Sequence, residues 1–387
     1  MDNKVVTLRG NIILGSEITK GCIRIEEGLI SEVGDFESEG NVSDFGDSYI
    51  VPGFIDLHIH GIHYALVDNG PHDLSEMCRV LPQYGITGFL PTVSPRPAGE
   101  DAIFLSGLAN TETFGSEILG FHLEGPFIKL TGAFNDDAIS KSDKKRVEAL
   151  IQAARPYRAI FSISPDVEGI EDLLPLMAEN NNPVFITHTE ATVAQTQAAI
   201  ESGALHATHF YDVFPCPEVT EPGVRPCGAV EAILADERVS VDFILDGVHV
   251  DPIAVKLALL CKSRGPGSVC LVTDAVPGAG LEPGRFDFKG IGEIEFAHKG
   301  SPARIVKNNF LSGAGLTMDQ ALRNAVSWLE LDLPSAIRLV STNPAEVTGA
   351  GHRKGQIIKG YDADFVILDK QLNVVQTWIG GECIFKK

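Results

Sequence analysis

Phe54-Ile-Asp-Leu-His-Ile-His60 follows Val51-Pro-Gly53 and runs into Gly61. Apolar and polar residues alternate along it, which is the period of a β-strand. His58 and His60 are two apart, so their side chains leave one face of the strand, about 6.6 Å apart along it. Two imidazoles on one face at a strand end are placed to share a metal ion. Two exposed histidines on an edge strand would give the same local pattern, so the rest of the chain has to decide.

Working outward, further apolar runs long enough for buried strands are Gly88–Val93, Ile118–Glu124, Ile160–Ser164, Val184–His188, Ala207–Phe210, Val239–Asp246 and Ser268–Asp274. Helical patterns lie between them, as at Lys144–Ala154 and Thr192–Ser202. Eight strands with helical connections predict an α/β fold, a (β/α)8 TIM barrel over 52–349. A doubly wound open sheet is the alternative, but no glycine-rich phosphate turn follows the first strand.

The chain ends read differently. Val5–Leu14, Cys22–Glu26 and Leu29–Val33 are strand-like, as are Asp364–Asp369, Val374–Ile379 and Glu382–Phe385. Residues 1–51 and 350–387 therefore predict one small β-sandwich domain built from both ends of the chain.

At 387 residues and 44% hydrophobic content the chain can bury a large core. A formal net charge of −21 argues against nucleic acid or an anionic membrane surface as a partner, because like charges repel. No run approaches 18 apolar residues, and Met1–Gly10 has no signal-peptide core. The seven cysteines include no Cys-x-x-Cys and read as reduced thiols of a cytoplasmic protein, with Cys216 and Cys227 sharing one Pro-rich loop. A small-molecule substrate is the expected partner.

Most of the strand candidates end in a residue able to bind metal or move protons. Strand one ends in His58 and His60, strand three in Glu124, strand five in His188, strand six in His209, strand eight in Asp274; His249 follows strand seven. Catalytic groups of a barrel sit at the C-terminal ends of its strands. Four imidazoles and two carboxylates suffice for two divalent ions with a carboxylate between them, or for one ion with spare ligands. Ligands of this kind without thiolate suit Zn²⁺, and also Fe²⁺, Co²⁺ or Mn²⁺. Such a site makes hydroxide available near neutral pH, and Asp274 can take its proton and pass it to a leaving amine. Hydrolysis of an amide is the natural reaction. Each residue also has a structural reading: Glu124 as a helix-terminal carboxylate, His188 as a cap neighbour, Asp274 as a loop cap. His206 reads as structural, and His63, His72, His298 and His352 as solvated or local.

Pro52-Gly-Phe-Ile-Asp-Leu-His-Ile-His-Gly61, His122-Leu-Glu-Gly-Pro-Phe127, Thr208-His209, Asp246-Gly-Val-His249, Leu271-Val-Thr-Asp-Ala275, Leu311-Ser-Gly-Ala-Gly-Leu-Thr317 and Asn343-Pro-Ala345 occur in this order. Together they resemble the amidohydrolase superfamily, and within it the N-acetylglucosamine-6-phosphate deacetylase family, over nearly the whole chain. The resemblance implies Glu124, His188 and His209 as core metal ligands and His58 and His60 as a second metal position. It also implies Asp274 as acid/base, His249 as a substrate contact, and a homodimer. Further substrate contacts are expected from Asp212, Val213, Ala133, Phe134, Arg225, Leu311 and Ser312. The ring-opening branch with a carboxylated lysine after strand four is disfavoured, since Ser162-Ile-Ser-Pro-Asp166 has no lysine.

The departures concern the phosphate. Asp212-Val213 stands where these deacetylases carry an Asn-Ala pair that helps hold the sugar phosphate. Thr220 stands where some carry an arginine, and Phe134 where some carry a histidine. Aspartate facing a dianion disfavours binding, and Arg225, five residues after Thr220, is the candidate for a substitute clamp. The expectation is removal of an N-acetyl group from an amino sugar, phosphorylated or not. Another N-acyl or cyclic amide substrate is the alternative, and a non-enzymatic sugar sensor requires broken metal ligation.

Overall fold

The computed structural model describes residues 5–37, 41–134, 140–262 and 269–387. Eight parallel strands, each paired with the next in chain order, form one sheet: Phe54–Ile59, Ile86–Val93, Phe121–Glu124, Ala159–Ile163, Val184–Ile186, Ala204–Ala207, Ser240–Ile244 and Val269–Val272. The expected eighth strand began at Ser268, which lies outside the described residues. All but one of the residues in these strands are buried, because helices cover the outside and side chains fill the inside. The sheet closes just beyond strand eight. The Asp274 N–H donates to the His58 carbonyl at 2.9 Å and the His60 N–H to the Ala275 carbonyl at 3.0 Å. The predicted barrel is thus present, and its closing seam runs between two of the candidate ligands.

The connecting helices start where their sequences provide caps. Asp143 accepts from the N–H groups of Lys145 and Arg146 ahead of Lys144–Ala153. Thr192 and Gln195 make a reciprocal capping box ahead of Val193–Glu201. Each such cap contributes about 1 kcal/mol.

Both chain ends contribute to one small β unit. Its seven strands are hydrogen-bonded as one mixed sheet in the order 382–386, 374–379, 365–368, 41–52, 6–14, 17–26, 29–34. Only Val6–Leu14 and Asn41–Pro52 run parallel. Leu8, Ile12, Ile23, Ile25, Ile50, Phe365, Ile367 and Trp378 make its core. Asn41–Pro52 leads through Gly53 straight into barrel strand one, so the small sheet and the His58–His60 strand are one continuous run.

Two features differ from expectation. Strand six lies at Ala204–Ala207 rather than Ala207–Phe210, because the chain leaves the strand after Ala207: His209, Tyr211 and Val213 all take positive φ. This puts His206 inside the strand rather than ahead of it. A four-stranded antiparallel sheet, Arg285–Phe288, Gly292–Phe296, Pro302–Ile305 and Leu311–Ala314, follows strand eight. Its last strand returns to the barrel mouth, where the Ala314 N–H donates to the Asp274 carbonyl at 2.8 Å. Gly313 makes that approach, since a Cβ there would stand 2.7 Å from the Asp274 carbonyl oxygen. Among the described residues no helix is long and apolar enough to cross a membrane.

Candidate metal centre and active site

Glu124, the last residue of strand three, lies between two pairs of imidazoles. Its Oε1 is 3.0 Å from His188 Nε2 and 3.0 Å from His209 Nε2. Its Oε2 faces the other pair, 3.0 Å from His60 Nε2 and 3.4 Å from His58 Nε2. Asp274 Oδ1 completes that side, 3.4 Å from His58 Nε2 and 3.6 Å from His60 Nε2. All six residues are buried. The six sequence-predicted ligands therefore converge, from the ends of strands one, three, five and six and the turn after strand eight.

Local backbone explains the convergence. His188, His209 and Asp274 sit at φ of 48°, 32° and 45°, the left-handed region that non-glycine residues rarely occupy. Such strain persists only where the surroundings impose it, and it clusters at functional sites. Here it turns three side chains from strand ends toward one point. The loop after strand three is pinned beside them: His188 Nδ1–H donates to the Leu130 carbonyl at 2.7 Å. Gly132 is needed at that contact, because a Cβ would fall 2.8 Å from His188 Cε1.

The donor set fits a divalent cation. His58–His60–Asp274 and His58–Glu124–His209 each bring ligand atoms within 4.8 Å of one another. Glu124 Oε2 is buried with no hydrogen-bond partner among the described residues. A buried carboxylate oxygen without a donor is costly unless a cation faces it. Burial pushes the Glu124 carboxyl up, but the neighbouring imidazoles outweigh it and hold the group well below the usual carboxylate range. Asp274 is likewise lowered against the effect of burial, chiefly by His58.

A cavity of about 310 Å³ opens over the cluster. His60, Glu124, His188, His209 and Asp274 reach it from below. Ala133, Phe134, Asp212, Val213, His249, Leu311 and Ser312, all expected at the substrate, line it, together with Val276, Phe288, Ile291 and Phe310. Val276, and Phe288, Ile291 and Phe310 from the extra sheet and its turns, were not foreseen from the sequence. Ser312 Oγ is buried without a hydrogen-bond partner among the described residues. His249 donates from Nδ1 to Asp246 at 2.7 Å. Burial opposes charge on His249, yet the Asp246 carboxylate outweighs it and raises its pKa.

Arg225 stands apart. It does not line the cavity; its exposed guanidinium pairs with Glu231. No lysine or arginine is among the cavity residues. Residues 135–139, beyond Phe134 and outside the described residues, read Asn-Asp-Asp-Ala-Ile and contain none either. Sequence reasoning also passed over Asp242, a single acid within the apolar run of strand seven that hydrogen-bonds around the cluster.

With this geometry in place, the comparisons with known proteins are specific. The profile of the amidohydrolase family matches residues 49–384. N-acetylglucosamine-6-phosphate deacetylase of Bacillus subtilis (strain 168) is 30% identical over 388 residues, covering 97% of this chain and 95% of that protein. N-acetylgalactosamine-6-phosphate deacetylase of Escherichia coli O157:H7 is 28% identical, covering 93% of each. Among solved structures, an alanine mutant of N-acetyl-D-glucosamine-6-phosphate deacetylase from Mycobacterium smegmatis, in complex with N-acetyl-D-glucosamine-6-phosphate, superposes with a TM-score of 0.88. That structure is 25% identical and covers 99% of this chain and 100% of its own. With a barrel that gathers acids and imidazoles at one mouth and these matches over nearly its whole length, the chain belongs to the amidohydrolase family, as an enzyme like the N-acetyl sugar-phosphate deacetylases.

Proposed function

We propose that the protein is a metal-dependent deacetylase that removes the N-acetyl group from an amino sugar. The observation that supports it is Glu124 set between two imidazole pairs, with Asp274 on the cavity floor. His58, His60, Glu124, His188, His209 and Asp274 would hold one or two divalent ions, with Zn²⁺ favoured by the N/O ligands. A divalent ion in this position supplies Lewis acidity and lowers the pKa of water. Asp274 accepts the proton released from the attacking water and returns it to the leaving nitrogen, so that acetate and a free amine result. His249, held by Asp246, is placed at the cavity wall to donate a hydrogen bond to the substrate.

The phosphate site is altered in this reading. The relatives named above act on 6-phosphates by name, whereas the cavity here has Asp212 and neither lysine nor arginine among its described residues. The preferred substrate is an unphosphorylated or otherwise different N-acetyl amino sugar. The apolar wall of Phe134, Val213, Phe288 and Phe310 favours, as second reading, another N-acyl or cyclic amide compound with an apolar face. The remaining parts of the proposal are a cytoplasmic homodimer, a barrel over 52–349 and a small β domain of 1–51 with 350–387. The test is a panel of N-acetylhexosamines, each with and without a 6-phosphate, beside N-acyl amino acids and cyclic amides. Highest kcat/KM for an N-acetylhexosamine supports the proposal; highest kcat/KM for an amino acid or a cyclic amide replaces it with the second reading.

A further inference from the structure

We infer that Asp242 is a positioning residue that sets imidazoles in both halves of the metal cluster at once. Asp242 lies in the middle of barrel strand seven, Ser240–Ile244, with its side chain fully buried below the cavity. Its carboxylate takes three donors. Oδ1 accepts from the main-chain N–H of His209 at 2.5 Å and from the Thr208 hydroxyl at 3.2 Å. Oδ2 accepts from His206 Nε2 at 2.8 Å.

The Thr208 hydroxyl has one proton, and it is committed to Asp242. Its lone pair therefore accepts from His58 Nδ1–H, 3.2 Å away. That fixes the tautomer of His58: Nδ1 carries the proton and Nε2 is bare where it faces Glu124 and Asp274. The orienting chain runs carboxylate, hydroxyl, imidazole, and it raises the basicity of the ligand atom as a carboxylate behind a ligating histidine does.

The second arm acts on the backbone. His209 holds a φ of 32°, a left-handed conformation that non-glycine residues rarely adopt and that its surroundings must impose. The Asp242 bond to its N–H holds that conformation and so aims the His209 side chain at Glu124 Oε1. His58 belongs to the pair facing Glu124 Oε2 and His209 to the pair facing Oε1, and one carboxylate fixes both. His206 serves Asp242 in turn: its other nitrogen is 2.7 Å from Ser240 Oγ, which keeps the ring in the plane that meets Oδ2.

The inference rests on the metal reading of the cluster, and the experiment separates the two. Full-length wild type, Thr208→Val and Asp242→Asn are loaded with Zn²⁺ and titrated against a chelator of known affinity; Co²⁺-substituted samples give the visible absorption spectrum. Thr208→Val leaves the His206–Asp242 contact and the His209 N–H bond in place and removes only the arm to His58. It is expected to weaken Zn²⁺ binding about tenfold and to shift the Co²⁺ bands, with the metal-free melting temperature little changed. Asp242→Asn is expected to weaken Zn²⁺ binding toward the upper end of the 10- to 100-fold range for residues that orient metal ligands. Wild-type Zn²⁺ affinity and an unshifted Co²⁺ spectrum in Thr208→Val overturn the inference, even if Asp242→Asn fails to fold. A wild-type chain that binds no Zn²⁺ overturns the metal reading first and this inference with it.

Discussion

The Nε2 atoms of His58 and His60 lie 3.3 Å apart, with Glu124 Oε2 and Asp274 Oδ1 each within 3.6 Å of both. Two imidazole lone pairs at that distance repel unless a cation or a proton stands between them. A bound divalent ion resolves the contact and adds its binding energy to folding. A ligand present at 1,000 times its dissociation constant stabilises the folded state by about 4 kcal/mol. Chelator treatment is expected to lower the melting temperature by several degrees and abolish turnover, with both restored by Zn²⁺, Co²⁺ or Mn²⁺. A melting temperature indifferent to chelator and metal would contradict the assignment.

Asp274 contributes to the cluster from the barrel's closing seam, held in a left-handed turn by its N–H bond to His58. Its Oδ1 lies 3.4 Å from His58 Nε2 and 3.6 Å from His60 Nε2. Replacing the carboxylate with an amide keeps the shape and removes the proton acceptor. Asp274→Asn is expected to lower kcat by at least about 10²- to 10⁴-fold, the range for losing a positioned base, while metal content stays near wild type. Unchanged turnover removes Asp274 from the mechanism.

Much of this site was legible in the sequence, for a physical reason. A parallel barrel strand is an apolar run, so a histidine or acid at its C-terminal end stands out, and His58, His60, Glu124, His188, His209 and Asp274 all did. What was hidden depended on pairing between distant strands. Asp242 looks like a lone acid within Val239–Leu245 until the register sets His206 against Ser240. The extra sheet escaped notice because three of its strands have only four residues, too few for alternation to show. The reach of Arg225 toward Glu231 depends on a loop conformation that no periodicity encodes.

Asp212 lines the cavity, while Thr220 occupies the place where a clamping arginine is expected from the resemblance. Neutralising the first and charging the second should favour a dianionic substrate. Asp212→Asn combined with Thr220→Arg is expected to raise the ratio of kcat/KM for a 6-phosphate over the free sugar by about tenfold, some 1.4 kcal/mol. The comparison is a steady-state assay of both substrates on wild type and variant. A ratio that does not move shows that this loop does not face the phosphate.

Helix Pro252–Cys261 leaves Ile253, Leu257 and Leu260 exposed on one face, at i, i+4 and i+7, and Val248 and Trp328 are exposed as well. Large exposed apolar patches mark interaction sites, and this stripe is the candidate for one. The proposed homodimer is placed there. Light scattering is expected to give twice the chain mass for wild type and the single-chain mass for Leu257→Glu with Leu260→Glu. A wild-type monomer rejects the placement and the dimer together.

Glu117 ties the barrel to the segment that leads back into the terminal sheet: Arg353 meets its Oε1 at 2.5 Å and Lys354 its Oε2 at 2.8 Å. Lys354 also pairs with Asp364, next to Phe365–Leu368. Burial pushes the Glu117 carboxyl up, but Arg353 and Lys354 outweigh it and hold the group below its ordinary value of 4.5. A carboxylate with a depressed folded pKa stabilises the fold at pH above its unfolded value, and that contribution is lost as pH falls through the folded value. The side chain is 38% exposed, so screening limits the effect to about 1 kcal/mol. Glu117→Gln is therefore expected to melt about 1–3 °C below wild type at pH 7. The gap should narrow as pH falls below the unfolded value and close only once pH has passed the lower folded value, where the wild-type carboxyl also becomes neutral. Thermal melts of both proteins from pH 3 to 8 test this. A gap that is constant across that range would mean that Glu117 acts through packing, not through its charge.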